Sequence, residues 1–127
     1  MSGPRYAWRL PWPPSINHYY RHTRNGHFIT REGRLYRSSV IAAVGAIGKP
    51  LEGALALSVR LYMPDKRRRD IDNVLKALQD ALQAAGAYYD DCQISLLCVQ
   101  KRENVPGGAC EVELSTLAEK RCASILD

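Results

Sequence analysis

The stretch LALSVRLYMPDKRRRDIDNVLKALQDALQAAG, residues 55–86, holds two different hydrophobic periods on either side of a charged loop. From Leu55 to Tyr62 the apolar residues alternate with other residues, the period of two that is typical of a half-buried β-strand. From Ile71 onward the apolar residues recur at helical spacing, and Gly86 stands where a C-terminal helix cap belongs. The stretch therefore predicts a strand, a charged loop and a helix in succession.

The N-terminal region predicts a strand, a loop and a hairpin. Tyr6–Leu10 is typical of a short strand, which ends at residues 11–14 because three prolines there lack backbone donors. We expect an ordered loop over residues 11–18. Asn25-Gly26, at the centre of Tyr19–Thr30, accepts the positive φ angles of a tight turn. A small, basic β-hairpin is therefore expected in this segment.

The remaining segments complete a mixed domain. Thr30 can cap a first helix whose apolar residues fall at helical spacing, and Gly48-Lys49-Pro50 is expected to end it. Gln93–Lys101 and Ala109–Ser115 predict two further strands joined by a glycine-rich turn. The fold class is therefore α/β, of the α+β type, with a mixed β-sheet packed against two helices.

Length and composition favour one compact domain over residues 1–127. The apolar fraction of 46% can support a core, and no apolar run approaches the roughly 20 residues needed to cross a bilayer. The first ten residues are interrupted by Pro4, Arg5 and Arg9 and lack a secretory pattern. We therefore expect a cytoplasmic protein with no membrane partner.

The four cysteines do not form a metal-binding pattern. Cys92, Cys98, Cys110 and Cys122 show no CxxC pair and no histidines at zinc-finger spacing. We expect small, mostly buried apolar side chains with one or two exposed thiols, as is usual in a reducing compartment.

The net charge of +5 is unevenly distributed. Residues 1–40 contain seven arginines against one acid, Glu32, and four more basic residues stand together at 66–69. Segments biased to one sign indicate a polyanionic partner, of which nucleic acid is the commonest. The residues expected to contact phosphates are Lys66, Arg67, Arg68, Arg69 and, in the hairpin, Arg21 and Arg24.

Acidic residues gather around the start of the second helix. Asp70 and Asp72 are expected at its N-terminus, where backbone donors and the helix dipole favour ionised carboxylates. Ile71 between them is expected to point into the core. Asp91 comes close to both acids if the strand that follows it lies beside residues 55–62. Such carboxylates are oxygen ligands suited to Mg²⁺ or Mn²⁺.

A lysine accompanies these acids. Lys76 lies four residues after Asp72, on the same side of the helix, where it can reach a phosphate held by the metal. In phosphodiester hydrolysis a bound metal activates water and offsets charge on the phosphorus, and a lysine adds positive charge in the transition state. The residues alone therefore indicate metal-assisted phosphoryl chemistry.

Each feature also has a purely structural interpretation. Asp70 can be only an N-cap, and Asp72 with Lys76 only an ordinary helical salt bridge. Asp90-Asp91 can be a polar turn. Lys66–Arg69 can be a solvated loop, although adjacent like charges repel unless something neutralises them.

The aromatic residues and histidines carry no clear functional pattern. Tyr88 and Tyr89 are more typical of a core or hairpin than of base-stacking platforms. His18, His22 and His27 lack a clear metal spacing, and we assign them no catalytic role.

Two long motifs resemble the RusA family of Holliday junction resolvases over almost the whole chain. They occur in the family's order and at its separation. The first comprises residues 10–15, Asn17 and residues 19–22, and the second comprises residues 63–70, Asp72-Asn73, Lys76 and Asp90-Asp91.

The resemblance implies a homodimer that binds four-way junction DNA and cuts it with paired nicks. It further implies that Asp70, Asp72 and Asp91 hold Mg²⁺ and that Lys76 assists catalysis. Two other functions remain open at this point. One is a broader nuclease acting on flaps or forks with the same metal site, and the other is a non-catalytic DNA-binding module.

Overall fold

A four-stranded mixed sheet carries the fold, and the computed structural model describes residues 5–117 of the chain. A two-stranded hairpin and three helices accompany the sheet. In chain order the elements are β1 (Arg5–Leu10), α1 (Ile16–Tyr19), β2 (Tyr20–Thr23), β3 (Gly26–Ile29), α2 (Arg31–Val44), β4 (Leu55–Tyr62), α3 (Leu75–Ala84), β5 (Ile94–Lys101) and β6 (Ala109–Thr116).

The central strand β4 decides how the sheet is assembled. The strand order is β1-β6-β4-β5, with β5 parallel to β4 and the other pairs antiparallel. Leu57 pairs with Leu114, Val59 with Val112 and Leu61 with Cys110, so buried residues of adjacent strands share one face. Because a one-residue slip would turn these side chains to the other face, the apolar pattern specifies the register.

The helices α2 and α3 contact each other and close the core with this face. Burying one leucine or valine contributes about 1.5–3 kcal/mol, so the continuous buried set dominates the stability. None of the helices within residues 5–117 is long and apolar enough to cross a membrane. The largest fully buried side chains are Leu10, Tyr19, Val40, Leu55, Leu57, Val59, Leu61, Leu78, Leu82, Tyr88, Val112 and Leu114.

The strongest local signals in the sequence predicted the structure correctly. The strand Leu55–Tyr62 has the predicted bounds, and the expected hairpin forms. Its two turn residues are Arg24 and Asn25 rather than Asn25 and Gly26, because Gly26 already pairs with Thr23, and of these residues only Gly26 has a positive φ. Thr30 caps α2, and its hydroxyl accepts a hydrogen bond from the Gly33 amide at 3.0 Å. The mixed sheet with helices on one face confirms the α+β class.

Three expected features of the helices were wrong. α2 ends at Val44 rather than at residues 48–50, because Gly45 adopts a φ of 70° and terminates it. The expected loop over residues 11–18 contains the start of α1. The helix expected after the charged loop is α3, and a 3₁₀ turn over Ile71–Val74 precedes it. Ile71 is 38% exposed instead of entering the core.

A polar network joins the three helices. The Tyr19 hydroxyl donates to the Asp80 carboxylate, and Arg37 Nε donates to the same carboxylate at 2.8 Å and to the Tyr19 hydroxyl at 3.0 Å. Burial, together with the hydrogen bond to Asp80, raises the pKa of Tyr19 above its usual range. Arg37 is one of the seven arginines in residues 1–40, and its charge is already paired with Asp80 within the fold.

The cysteines divide as expected in the described part of the chain. Cys110 is buried in the core, and burial raises its pKa to about 12. Cys92 and Cys98 are exposed free thiols. Cys122 lies outside the described residues.

The close approach at Gly33 leads to a stability prediction. A Cβ at this position would lie 2.6 Å from the Tyr19 carbonyl oxygen and 2.7 Å from Ile29 Cγ1. We expect Gly33→Ala to lower the free energy of unfolding by about 1–3 kcal/mol, although alanine normally favours a helix. Ser38→Ala, at an exposed position of α2, is the control and should stabilise slightly. Urea unfolding measures both, and a Gly33→Ala protein as stable as the wild type contradicts the prediction.

Candidate active site

The charged loop that leaves β4 is held by one of its own acids. The Asp65 carboxylate accepts hydrogen bonds from the Arg67 amide at 2.9 Å and from Arg69 Nη1 at 2.6 Å and Nη2 at 3.2 Å. These bonds, the Arg69 side chain first, lower the pKa of Asp65 to about 2. Lys101 Nζ donates to the Arg69 carbonyl at 2.7 Å and ties the loop to the end of β5.

The four basic residues of this loop therefore differ in their surroundings. Arg69 forms a two-pronged contact with Asp65, whereas Arg67 lies 3.9 Å from the same carboxylate and is largely exposed. Lys66 and Arg68 are exposed, and the described chain supplies neither with an ion-pair partner. Arg69 shapes the loop, while Lys66 and Arg68 carry the charge that is free to meet another molecule.

The two acids after the loop are exposed to solvent. Asp70 occupies the N-cap position of the 3₁₀ turn, but its side chain makes no capping hydrogen bond; its carbonyl oxygen accepts from the Asn73 amide at 3.2 Å. Asp72 lies in the first turn of this helix and is also exposed. The capping interpretation of the Asp70 carboxylate therefore has no hydrogen bond to support it.

Lys76 is paired with Asp91. Its Nζ donates to Asp91 Oδ2 at 3.0 Å, and this bond is the largest cause that raises the pKa of Lys76. The Asp91 amide in turn donates to Gln83 Oε1 at 2.8 Å on α3. The lysine thus pairs across to the next segment of the chain rather than with Asp72 one turn earlier in its helix, and it is held in the charged form.

Asp90 and Asp91 are adjacent in the chain, but their side chains contact different partners. The Asp90 carboxylate accepts from the Cys92 amide at 2.9 Å, and Gln93 Oε1 accepts from the Asp90 amide at 3.0 Å, which together form a capping box. The hydrogen bond from Cys92 is the largest cause that lowers the pKa of Asp90. Asp90 therefore fits the interpretation as a polar turn, whereas Asp91 faces Lys76.

The strand adjacency expected from the sequence is confirmed, because β5 is the parallel neighbour of β4. In a parallel pair, however, β5 begins beside the start of β4, whereas the loop with Asp70 and Asp72 leaves the end of β4. Lys76 Nζ, on the helix that spans these ends, reaches Asp91. Among residues 5–117, no three His, Cys, Asp or Glu side chains are close enough to form a metal-binding group.

The donor chemistry nevertheless suits a hard divalent cation. Three neighbouring acids are occupied, since Asp65 binds Arg69, Asp80 binds Arg37 and Asp90 caps a turn. Asp70 and Asp72 have no such partner in the described chain, and only one carboxylate oxygen of Asp91 accepts a hydrogen bond from Lys76. Carboxylate oxygens of this kind fit Mg²⁺ or Mn²⁺ in charge and donor type.

Two open grooves lie between the charged loop and the hairpin. A groove of about 290 Å³ is lined by Arg67, Arg69, Asn73 and residues 12–15 of the proline-rich segment. A larger one of about 670 Å³ is lined by residues of the hairpin, including Arg21, and by the first turn of α2. His18 lines both grooves, so they adjoin at this residue. Arg24 is exposed at the hairpin turn.

The sequence interpretation missed two residues beside Lys76. Burial first and the Asp80 carboxylate second raise the pKa of Tyr20. Asp91 is the main cause of the raised pKa of Lys76, to which Tyr20 and Asp80 add smaller contributions. One signal for Asp80 was present, because it follows Lys76 by four residues and so shares its helix face. Tyr20 reaches this site only through the hairpin fold, which local sequence does not show.

Comparison with known proteins identifies relatives of this chain. The model of the family described as "Endodeoxyribonuclease RusA" matches residues 11–115. The "Crossover junction endodeoxyribonuclease rusA" of Enterobacteria phage 82 is 40% identical over 119 residues, which cover 91% of this chain and 98% of the relative. The proteins named "Crossover junction endodeoxyribonuclease RusA" from Escherichia coli K12 and Shigella sonnei are each 38% identical over 117 residues, with the same coverage.

Proposed function

Because the chain belongs to the RusA family of endodeoxyribonucleases, we propose that it is a Holliday junction resolvase that makes paired nicks in four-way DNA junctions. The observation that carries this proposal is the 38–40% identity, over 91% of the chain, to crossover junction endodeoxyribonucleases. The family match over residues 11–115 also supports a single domain over residues 1–127.

The acidic residues take the metal-binding role in this proposal. Asp70, Asp72 and Asp91 would hold Mg²⁺, or Mn²⁺, because their oxygens are hard donors and the other acids nearby are occupied within the fold. Bound Mg²⁺ supplies activation of a water and compensation of charge on the phosphate. The Lys76 ammonium, kept ionised by Asp91, binds the phosphate and stabilises its added negative charge in the transition state.

The basic residues take the role of binding DNA. Lys66 and Arg68 present free charge shortly before Asp70 in the chain, and Arg67 and Arg69 line the groove beside Asn73. Arg21 and Arg24 extend the positive surface along the hairpin. Contacts of this kind bind phosphates irrespective of sequence, so they suit an enzyme that recognises the shape of a junction.

Paired cutting requires two sites in one complex. A homodimer with two-fold symmetry presents one acidic site to each of two equivalent strands of a four-way junction. One chain with one set of Asp70, Asp72, Asp91 and Lys76 cannot cut both strands in a single encounter. We therefore include a homodimer in the proposal.

The first prediction separates Asp91 from its neighbour. Asp70→Asn, Asp72→Asn and Asp91→Asn remove a charged ligand with little change of shape, and each should lower the Mg²⁺-dependent cleavage rate by about 1000-fold while junction binding persists. Asp90→Asn is the matched control, because asparagine also caps helices well, and it should keep near-normal activity. Single-turnover cleavage of a labelled junction measures the rates. Normal turnover in any of the three variants removes that residue from the proposed site.

The second prediction concerns the free charges of the loop. In an Asp70→Asn background, Lys66→Ala with Arg68→Ala should flatten the slope of log affinity against log salt by roughly 0.9 per lost phosphate contact. Lys49→Ala, an exposed lysine between α2 and β4, should leave the slope unchanged. Fluorescence anisotropy at several salt concentrations measures the slope. An unaltered slope in the double variant means that the loop does not contact DNA.

The third prediction tests the paired sites. Mixed dimers of wild-type and Asp70→Asn subunits should nick a cruciform plasmid to open circles, because only one strand meets an intact site. Wild-type dimers, and mixed dimers with Asp90→Asn, should yield linear molecules. Gel electrophoresis separates the two products. Linear product from the Asp70→Asn mixture at the wild-type rate, or an active monomer in sedimentation, rejects the resolvase in favour of a flap or fork nuclease.

A further inference from the structure

We propose that His22 and His27, which face each other across the hairpin with their Nδ1 atoms 3.0 Å apart, form a binding site for a divalent transition-metal ion. This site differs from the acidic residues in its ligand chemistry. Its two protein ligands are nitrogens, whereas the site around Asp70 offers oxygens.

The hairpin register brings the two rings together. His22 on β2 is the direct cross-strand partner of His27 on β3, and directly opposed residues have closely spaced side chains. The ring centroids lie 4.1 Å apart with an angle of 61° between the ring planes. The Thr23 hydroxyl accepts from the Asn25 amide at 3.2 Å and supports the turn that holds this register. The arrangement is therefore built into the backbone of the hairpin.

The distance between the nitrogens suits chelation. Metal–imidazole bonds of about 2.0–2.1 Å that start from nitrogens 3.0 Å apart subtend an angle of about 91–97° at the metal. This is the angle between adjacent ligands in square-planar and octahedral complexes, the geometries that Cu²⁺ and Ni²⁺ prefer. A tetrahedral ion such as Zn²⁺ requires the nitrogens to separate by a few tenths of an ångström more.

Only a small rearrangement is needed to admit the ion. The present contact is a hydrogen bond, so one ring donates its Nδ1–H and the other accepts. The ion takes the place of that proton, which passes to solvent while the Nε2 atom of the same ring takes one up, so that both rings bind as neutral imidazoles. Both rings then turn about χ2 so that their lone pairs converge. This torsion is broad and soft, and both side chains are exposed.

The surroundings set the strength and selectivity of the site. The Tyr20 ring lies 4.5 Å from the His27 ring and supports it from one side. Arg21 and Arg24 on the same hairpin repel a cation, so two imidazoles give a moderate affinity with water filling the other positions. Mg²⁺ prefers oxygen ligands and does not compete. An ion bound here joins β2 to β3 and adds positive charge beside the two arginines.

The sequence did not reveal this pair. A separation of five residues matches neither helical ligand spacing nor the spacing of zinc fingers, and it becomes a cross-strand pair only through the hairpin turn at Arg24-Asn25. His18, the third histidine, contacts Ser15 Oγ through its Nδ1 at 2.8 Å and stands outside the hairpin. It therefore serves as an internal control.

The test is a titration of the full-length protein with Ni²⁺ in the presence of excess Mg²⁺, followed by NMR of the imidazole and amide signals. Selective paramagnetic broadening of His22, His27 and the hairpin amides is expected. His22→Gln and His27→Gln should each weaken this binding on the order of 100-fold, since the loss of an outer-shell partner alone costs 10–100-fold. His18→Gln should bind as the wild type does.

Three results overturn the proposal. One is broadening centred on the acidic residues or the exposed thiols with the hairpin unaffected. Another is hairpin binding that survives His22→Gln or His27→Gln. The third is an equal loss in His18→Gln. Amide spectra of the ion-free variants verify that the hairpin remains folded.

Discussion

The pairing of β4 with β6 and β5 is the constraint on which the rest of the structure depends. Alternating leucine and valine residues permit only one register against β6, because any slip by one residue exposes the core face. With β4 fixed, its parallel partner β5 requires a crossover, and α3 supplies it. The loop at residues 63–73 must then leave the end of β4 and enter α3. The position of Asp70, Asp72 and Lys76 is therefore a consequence of sheet assembly.

The features that were predictable from the sequence are those decided by near neighbours along the chain. The period of β4, the presence of the hairpin and the Thr30 cap each depend on a few consecutive residues, and each was correct, although the hairpin turns at Arg24-Asn25, one residue earlier than expected. The features that were missed depend on partners far away in sequence. Ile71 is exposed because the helix begins with a 3₁₀ turn, and Arg37 is occupied because Asp80, 43 residues later, meets it. The different surroundings of Asp90 and Asp91 likewise follow from tertiary contacts, because adjacent identical residues carry no local signal that separates them.

The positive charge of the chain has two distinct uses. Arg9, Arg37 and Arg69 bind acids of the fold, namely Glu111, Asp80 and Asp65. Such contacts hold the sheet surface, the helices and the loop in place, and they contribute little to the field felt by a distant polyanion because each cation is neutralised. Exposed residues such as Lys66 and Arg68 have no such neutralisation. The charge available to attract DNA is thus less than the arginine count suggests, and it includes the loop before Asp70 and the hairpin.

The ion pair between Lys76 and Asp91 illustrates how fold and chemistry are separated at this site. The side chains are 48% and 25% exposed, and pairs with that much solvent contact add about 0–1 kcal/mol to stability. The small contribution of this ion pair to the stability of the fold therefore does not explain why the two residues are paired. Asp90, one residue earlier, makes the capping box that closes the turn before β5, and its removal acts on the fold. Asp90 makes the hydrogen bonds that close this turn, so the Asp91 carboxylate is not required for them. The Asp91 carboxylate can therefore keep Lys76 ionised and also act as an oxygen ligand.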